Sequence, residues 1–139
     1  MTSLVIDSST ALGFLLRDEQ APSALKALAA MEDGIPTFVP THWWLEVTNG
    51  LLTAERRKRA SQAEVAEALH LVRELPAATD DDTGSRCGTE TIALARQYGL
   101  TVYDAAYLEL AMRRGATLAT DDHALRQAAS KAGVTLLAS

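Results

Sequence analysis

Short apolar runs alternate along the chain with longer stretches in which apolar residues recur every three or four positions. Leu4-Val5-Ile6 is the first run, wholly apolar as a strand buried on both faces would be. Leu12, Phe14, Leu15 and Leu16 follow and predict a helix ending near Arg17-Asp18. Pro22 suits the first turn of a second helix, which carries Leu25, Leu28 and Met31 and stops at Gly34. Thr37-Phe38-Val39 predicts a second strand between Pro36 and Pro40. Thr41 is placed to cap a long helix running to about Arg59, with Trp44, Val47 and Leu51 on one stripe and Leu45 and Leu52 beside it. Gly50 costs that helix stability and marks a close approach by another element.

Ser61-Gln62-Ala63-Glu64 fits a capping box, and the helix it opens turns Val65, Leu69 and Val72 inward. Leu75-Pro76-Ala77-Ala78 carries the weakest signal, read as a short strand. Thr79 to Gly88 reads as a polar loop leading into a helix of Ile92, Leu94, Ala95 and Tyr98, ended by Gly99. Next, Tyr103, Ala106, Tyr107, Leu110 and Ala111 fall on one helical face, stopped by Gly115. Thr117-Leu118-Ala119-Thr120 predicts a strand, Leu125, Ala128 and Ala129 a helix to Gly133, and Val134-Thr135-Leu136-Leu137 a last strand. Strands alternating with helices predict an α/β fold with a parallel sheet covered on both faces. The 139 residues show no repeat or linker, so a single domain, 1–139, is expected.

This framework gives four acidic residues a common address. Asp7 follows the first strand and Asp122 the 117–120 strand, and in parallel sheets sites form outside the carboxyl ends of strands. Asp104, at the start of its helix, and Glu46, early in the helix after the second strand, belong to the same edge. The plainer alternative makes Asp104 and either Asp121 or Asp122 independent helix caps, a role Asp fills readily. Capping alone does not require four acids to converge.

Carboxylates packed together repel one another and take up protons unless a cation neutralises them. Donors that are all oxygen suit a hard ion, Mg²⁺ or Mn²⁺. His42, His70 and His123 show no i, i+4 pairing with one another, and the single Cys87 can form neither an internal disulfide nor a CxxC site. A hard ion activates water and stabilises charge on a phosphoryl oxygen, which makes phosphodiester hydrolysis the natural chemistry. A phosphatase or phospho-receiver using Asp7 as nucleophile and a non-catalytic interaction module stay open as alternatives.

Four motifs carry a resemblance: Ile6-Asp7-Ser8-Ser9, Trp44-Leu45-Glu46-Val47-Thr48-Asn49-Gly50-Leu51, Tyr103-Asp104-Ala105-Ala106-Tyr107-Leu108-Glu109-Leu110-Ala111, and Leu118-Ala119-Thr120-Asp121-Asp122-His123-Ala124-Leu125. In this order and spacing, over essentially the whole chain, the sequence resembles the PIN-domain ribonucleases and among them the VapC-type toxins. The resemblance implies a three-layer α/β/α sandwich with a central, mainly parallel sheet. It implies RNA cleavage dependent on Mg²⁺, with Mn²⁺ able to substitute, inhibition by a cognate antitoxin protein, and a homodimer. It also implies roles. Asp7, Glu46, Asp104 and Asp122 match the acidic quartet, with Asp7 and Asp104 as primary metal ligands. Ser9 and Thr120 match hydroxyl positions that hold the ligands, and Asn49 lies on the side of Glu46. Asp121, beside Asp122, is a helix cap or a ligand to a second ion.

The net charge of −5 argues against a general nucleic-acid coating protein, though an acidic metal centre itself supplies part of it. The basic cluster Arg56-Arg57-Lys58-Arg59 reads either as a helix C-terminus favoured by the dipole or as a phosphate contact for RNA, and Arg113-Arg114 is equally ambiguous. Asp80-Asp81-Asp82 is expected to be a solvated loop or the acidic entry to the next helix, His123 a surface residue, Trp43 and Trp44 core, and Cys87 inert. No apolar run approaches the roughly 18 residues of a membrane span. No basic residue precedes Arg17, so no secretory signal is read and a cytoplasmic location is expected.

Overall fold

The computed structural model describes residues 1–138. Strand β1 (Leu4–Ile6) leads into helices α1 (Ser8–Leu15) and α2 (Pro22–Glu32), then β2 (Thr37–Val39), α3 (Trp43–Arg56) and α4 (Gln62–Glu74). After β3 (Ala77–Thr79) come the single turn α5 (Thr83–Arg86), a π-helical turn at Cys87–Thr91, α6 (Ile92–Tyr98), α7 (Val102–Arg114), β4 (Thr117–Ala119) and α8 (His123–Ala132). The strands form one sheet in the order β3-β2-β1-β4, every pairing parallel. Every residue of β1 and β4 is buried, so helices cover both faces of the sheet, as the resemblance implied for an α/β/α sandwich.

The chain builds the sheet outward from β1 through β2 to β3, then returns to place β4 on the other side of β1. The order therefore reverses between β1 and β4, and a parallel sheet opens a crevice at such a point, outside the carboxyl ends of the strands. Asp7 and Thr120-Asp121-Asp122 follow those two strands directly. Across the sheet, α7 packs on β1 and β4, which brings its first turn to the same region.

Trp43, Tyr107, Met31 and Leu51 are among the largest fully buried side chains, and each such residue contributes about 1.5–3 kcal/mol by leaving water. Ser61 and Glu64 close the expected capping box at the start of α4. Gly50 lies where α3 meets α1: a Cβ there would stand 2.4 Å from Leu12 Cδ1, the close approach its position in the sequence signalled. Gly13 plays the matching part where α1 meets α2, with Ala24 Cβ 2.8 Å from where its own Cβ would be.

Several expectations are corrected. The cap residue of α3 is His42, because the Thr41 hydroxyl is engaged by the loop after β3, donating to the Asp80 carbonyl (3.3 Å). The buried stripe of α3 is Trp43, Val47, Leu51 and Ala54. Trp44 is only half-buried, its ring edge-on to Trp43 and its Nε1 donating to Thr79 Oγ1 (2.8 Å). Leu45 is 75% exposed. The last strand shrinks to one parallel bridge, Leu118 with Leu136. Asp80 is not solvated: it is buried and clasped by Arg113 through two hydrogen bonds of 2.9 and 2.8 Å, while Arg113 also holds the buried Glu109. Asp81 and Asp82 are exposed as expected. Ser139, the last residue of the expected domain, lies outside the described residues.

Candidate active site

Asp7 is fixed from three directions. Its backbone extends the sheet by one more bond, N to the Ala119 carbonyl (3.1 Å), and then turns to cap α1. The Asp7 carboxylate accepts from the Thr10 amide (2.9 Å), from Ser9 Oγ (2.8 and 2.9 Å to its two oxygens) and from Thr120 Oγ1. Only 3% of the residue is exposed. Burial pushes its carboxyl above the ordinary range, and the hydrogen bonds from Thr120, Thr10 and Ser9 only partly pull it back. A carboxylate offers about four lone-pair directions. Three donors make four contacts there, two on each oxygen, and the single Ser9 hydroxyl proton serves only one of its two at a time.

The same two hydroxyls tie Asp7 to the loop after β4. Thr120 Oγ1 accepts from the Asp122 amide (3.0 Å) and Ser9 Oγ from the Asp121 amide (3.1 Å). The two neighbouring acids then part. Asp121 accepts from Ser23 Oγ of α2 (2.9 Å), whereas Asp122 caps α8 by accepting from the Leu125 amide (2.8 Å). Asp122 therefore is a helix cap, as the plainer reading had it. It is also the acid of the two that acts on Asp104.

Asp104 is not a cap. Thr101 caps α7 by accepting the Asp104 amide (3.1 Å), which leaves the Asp104 side chain in the first turn, half-buried and free to face the other acids. Burial pushes its carboxyl up first, and the charges of Asp122 and Glu46 push it further; Thr101 and His42 act in the opposite direction. Glu46, in the first turn of α3, is steadied by Tyr107, whose hydroxyl donates to Glu46 Oε1. The buried Tyr107 phenol is driven up by burial, then by its bond to Glu46, with Asp7 adding to the effect. Tyr107 thus stands within the field of both Glu46 and Asp7. Asp104 stands within that of Glu46 and Asp122.

Among the described residues, no three His, Cys, Asp or Glu side chains stand close enough to ligate one ion together. Mg²⁺ does not need such a cage, since it keeps several waters and is commonly held by one or two carboxylates. The acidic donors present are all oxygens, and Asp104 carries repulsion from Asp122 and Glu46 that Thr101 and His42 offset only in part. That set fits a hard divalent ion in kind.

The PIN domain family profile matches residues 4–131. The chain is a PIN domain. It is 28% identical over 124 residues to Ribonuclease VapC3 of Pyrobaculum aerophilum, covering 89% of this chain and 92% of that protein. Its fold is similar to that of PAE2754 from Pyrobaculum aerophilum (TM-score 0.67, 20% identity, 91% of this chain and 84% of that one). It is also similar in fold to VapC20 of Mycobacterium tuberculosis, described as a Sarcin-Ricin loop cleaving toxin (TM-score 0.61, 16% identity, 96% and 97%). A further likeness is to FitAcB of Neisseria gonorrhoeae (TM-score 0.55, 15% identity, 97% and 96%).

Two residues of this PIN domain edge were not singled out as site residues from the sequence. His42 lies one helical turn before Glu46, its Nε2 3.6 Å from Glu46 Oε1 and 3.1 Å from the Tyr103 carbonyl. Tyr107 was read only as core. The signal for both was present as spacing, i, i+4 from His42 to Glu46 and i, i+3 from Asp104 to Tyr107. Asn49 is exposed and makes no side-chain hydrogen bond among the described residues. The basic cluster sits at the opposite end of α3 from Glu46, about 15–20 Å away at 1.5 Å per residue. Arg59 is moreover held by Asp18 (2.9 Å) and Glu19, while Arg56, Arg57 and Lys58 are exposed. His123 is exposed at the start of α8, and Cys87 is exposed with its thiol against the Gly84 carbonyl. No helix among the described residues is long and apolar enough to cross a membrane.

Proposed function

We propose that the protein is a Mg²⁺-dependent endoribonuclease, with Mn²⁺ able to substitute, and that it acts as the toxin of a toxin–antitoxin pair. The observation that carries the reading is the crowding of Asp104 by Asp122 and Glu46 at the edge where Asp7 ends β1. Such crowding costs stability unless a cation relieves it. Membership of the PIN family and the likeness to a protein named Ribonuclease VapC3 support RNA as the substrate.

Asp7 and Asp104 would hold the ion, with Glu46 and Asp122 reaching it through water. When bound, the ion supplies Lewis acidity toward the phosphodiester and lowers the pKa of a nearby water. The chain's own residues do the rest. Ser9 and Thr120 fix the Asp7 carboxylate in one orientation. Tyr107 engages Glu46 Oε1, which leaves Oε2 to orient the attacking water and take its proton. The Leu125 amide holds Asp122 in place beside Asp104. Arg56, Arg57 and Lys58 would meet phosphates only of an RNA long enough to run the length of α3. Asp121, turned to Ser23, would serve structure rather than the ion.

A cognate antitoxin that silences the enzyme, a homodimeric state and action on cytoplasmic RNA follow the same resemblance. A phosphatase or phospho-receiver would need Asp7 as an accessible nucleophile, and at 3% exposure it presents little surface to an incoming phosphate. A non-catalytic interaction module is favoured only by the absence of a three-acid cage among the described residues. Incubation of labelled total RNA with the purified protein in Mg²⁺, Mn²⁺ or EDTA separates the two. Discrete fragments that need the metal support the nuclease. Intact RNA under all three conditions supports the module.

A further inference from the structure

Tyr103 is 62% exposed, although its position one residue before Asp104 puts it on the site edge and its spacing in α7 predicted burial. Its exposed ring is nevertheless ordered. The His42 Nε2 donates to the Tyr103 carbonyl (3.1 Å), and the His42 ring meets the Tyr103 ring edge-on, with centroids 5.7 Å apart. His42 in turn packs edge-on against Tyr107 at 5.1 Å. A chain of three rings therefore runs from the buried Tyr107, which holds Glu46, out to an aromatic face open to solvent. Leu45, directly before Glu46, is 75% exposed as well, so an apolar residue flanks each of these two acids.

We infer that Tyr103 is a base-stacking platform: an unpaired nucleotide of the RNA beside the scissile phosphate lies against its ring. The inference rests on the nuclease reading above. It answers a physical problem that the reading leaves. A net charge of −5 and an edge of carboxylates repel a polyanion, and the one strong basic cluster sits at the far end of α3. The ion of that reading would offset the carboxylates at the scissile phosphate itself, but attraction for the nucleotides beside it must come largely from a source other than charge. Stacking on an aromatic ring is such a source, and it is open only to bases that are not already stacked in a duplex. A ring whose backbone and edge are already held loses little freedom when a base covers it. Tyr103 thereby selects single-stranded segments at the cut and sets affinity rather than the chemical step.

The test uses Tyr103→Ala and Tyr103→Phe beside the wild-type chain. The substrate is a transcript of the RNA segment that the wild type cuts in total RNA. A second copy carries 2-aminopurine, whose fluorescence falls on stacking, at the nucleotide next to the cut. Tyr103→Ala is expected to raise KM roughly 5- to 150-fold at unchanged kcat and to lose the quenching, while Tyr103→Phe keeps both. A wild-type KM for Tyr103→Ala in a wild type that cleaves overturns the inference and leaves the nuclease reading intact. So does a change of oligomeric state on sedimentation with KM unchanged, which would assign the ring to contact with a second copy. A wild type that cuts no RNA overturns both together.

Discussion

The Tyr107 hydroxyl donates to Glu46 Oε1 and so joins α7 to α3 at the acidic edge, from a ring that is 1% exposed. A buried phenol pinned by its own packing leaves the Glu46 carboxylate one orientation. Tyr107→Phe removes only the oxygen. Water can reach the partly exposed Glu46, so the fold should lose no more than about 1 kcal/mol, read by urea unfolding. Cleavage should fall about 10- to 100-fold, the usual cost of losing a group that orients a ligand. Wild-type rates from Tyr107→Phe would remove Glu46 orientation from the mechanism.

Asp104→Asn separates stability from activity. The Asp104 carboxyl is raised by burial, then by Asp122 and Glu46. A group with a raised folded pKa contributes its stability below the ordinary carboxylate range and loses it as pH rises through the raised value. At pH 7 in EDTA the substitution should therefore raise Tm, by up to about 3 °C because solvent screens a half-exposed group. Near pH 3 the difference should vanish. Mg²⁺ should stabilise the wild type alone, since only it keeps the charge that binds the ion. Cleavage should drop at least about 100-fold. Calorimetry at both pH values with and without Mg²⁺ checks the signs.

Arg113 pairs with two buried acids, Asp80 and Glu109. Arg113→Met strands both, which costs about 3–5 kcal/mol at pH 7. Arg113 holds the Asp80 carboxyl below its ordinary range. A group with a depressed folded pKa gives stability above the ordinary carboxylate range, and that stability is lost as pH falls through the depressed value. The gap between wild type and Arg113→Met should accordingly narrow as urea unfolding is repeated from pH 7 down toward pH 3.

Gly13→Ala tests the α1–α2 contact. Alanine would gain about 1 kcal/mol of helix propensity, yet its Cβ would fall 2.8 Å from Ala24 Cβ, an atom that no rotamer change can move. Overpacking at about 1–3 kcal/mol should win, for a net loss of up to about 2 kcal/mol by urea unfolding. A stabilised Gly13→Ala would show that α2 yields freely.

What the sequence made legible was local. Three short apolar runs became β1, β2 and β4, the Ser61–Glu64 box opened α4, and Gly99, Gly115 and Gly133 ended helices with positive φ. Asp7 and Asp122 were placed correctly because a strand end in a parallel sheet fixes its edge. Periodicity could not choose between Trp43 and Trp44, since both stand at helical spacing from Val47 and Leu51. Asp80 resembled its solvated neighbours because its partner Arg113 lies 33 residues away. Tyr103 had the spacing of a core residue, but it sits in the first turn of α7, where it is 62% exposed. The claim of Thr41 as a cap failed for the same reason as Asp80: a distant loop engaged its hydroxyl first.

The most direct test sets the wild-type chain beside an Asp7→Asn, Asp104→Asn double variant prepared identically, with circular dichroism confirming that both are folded. Labelled total RNA in Mg²⁺ should give discrete fragments with the wild type and none with the double variant. Equal cleavage by both, or by neither, would contradict the assignment of RNA hydrolysis to these acids.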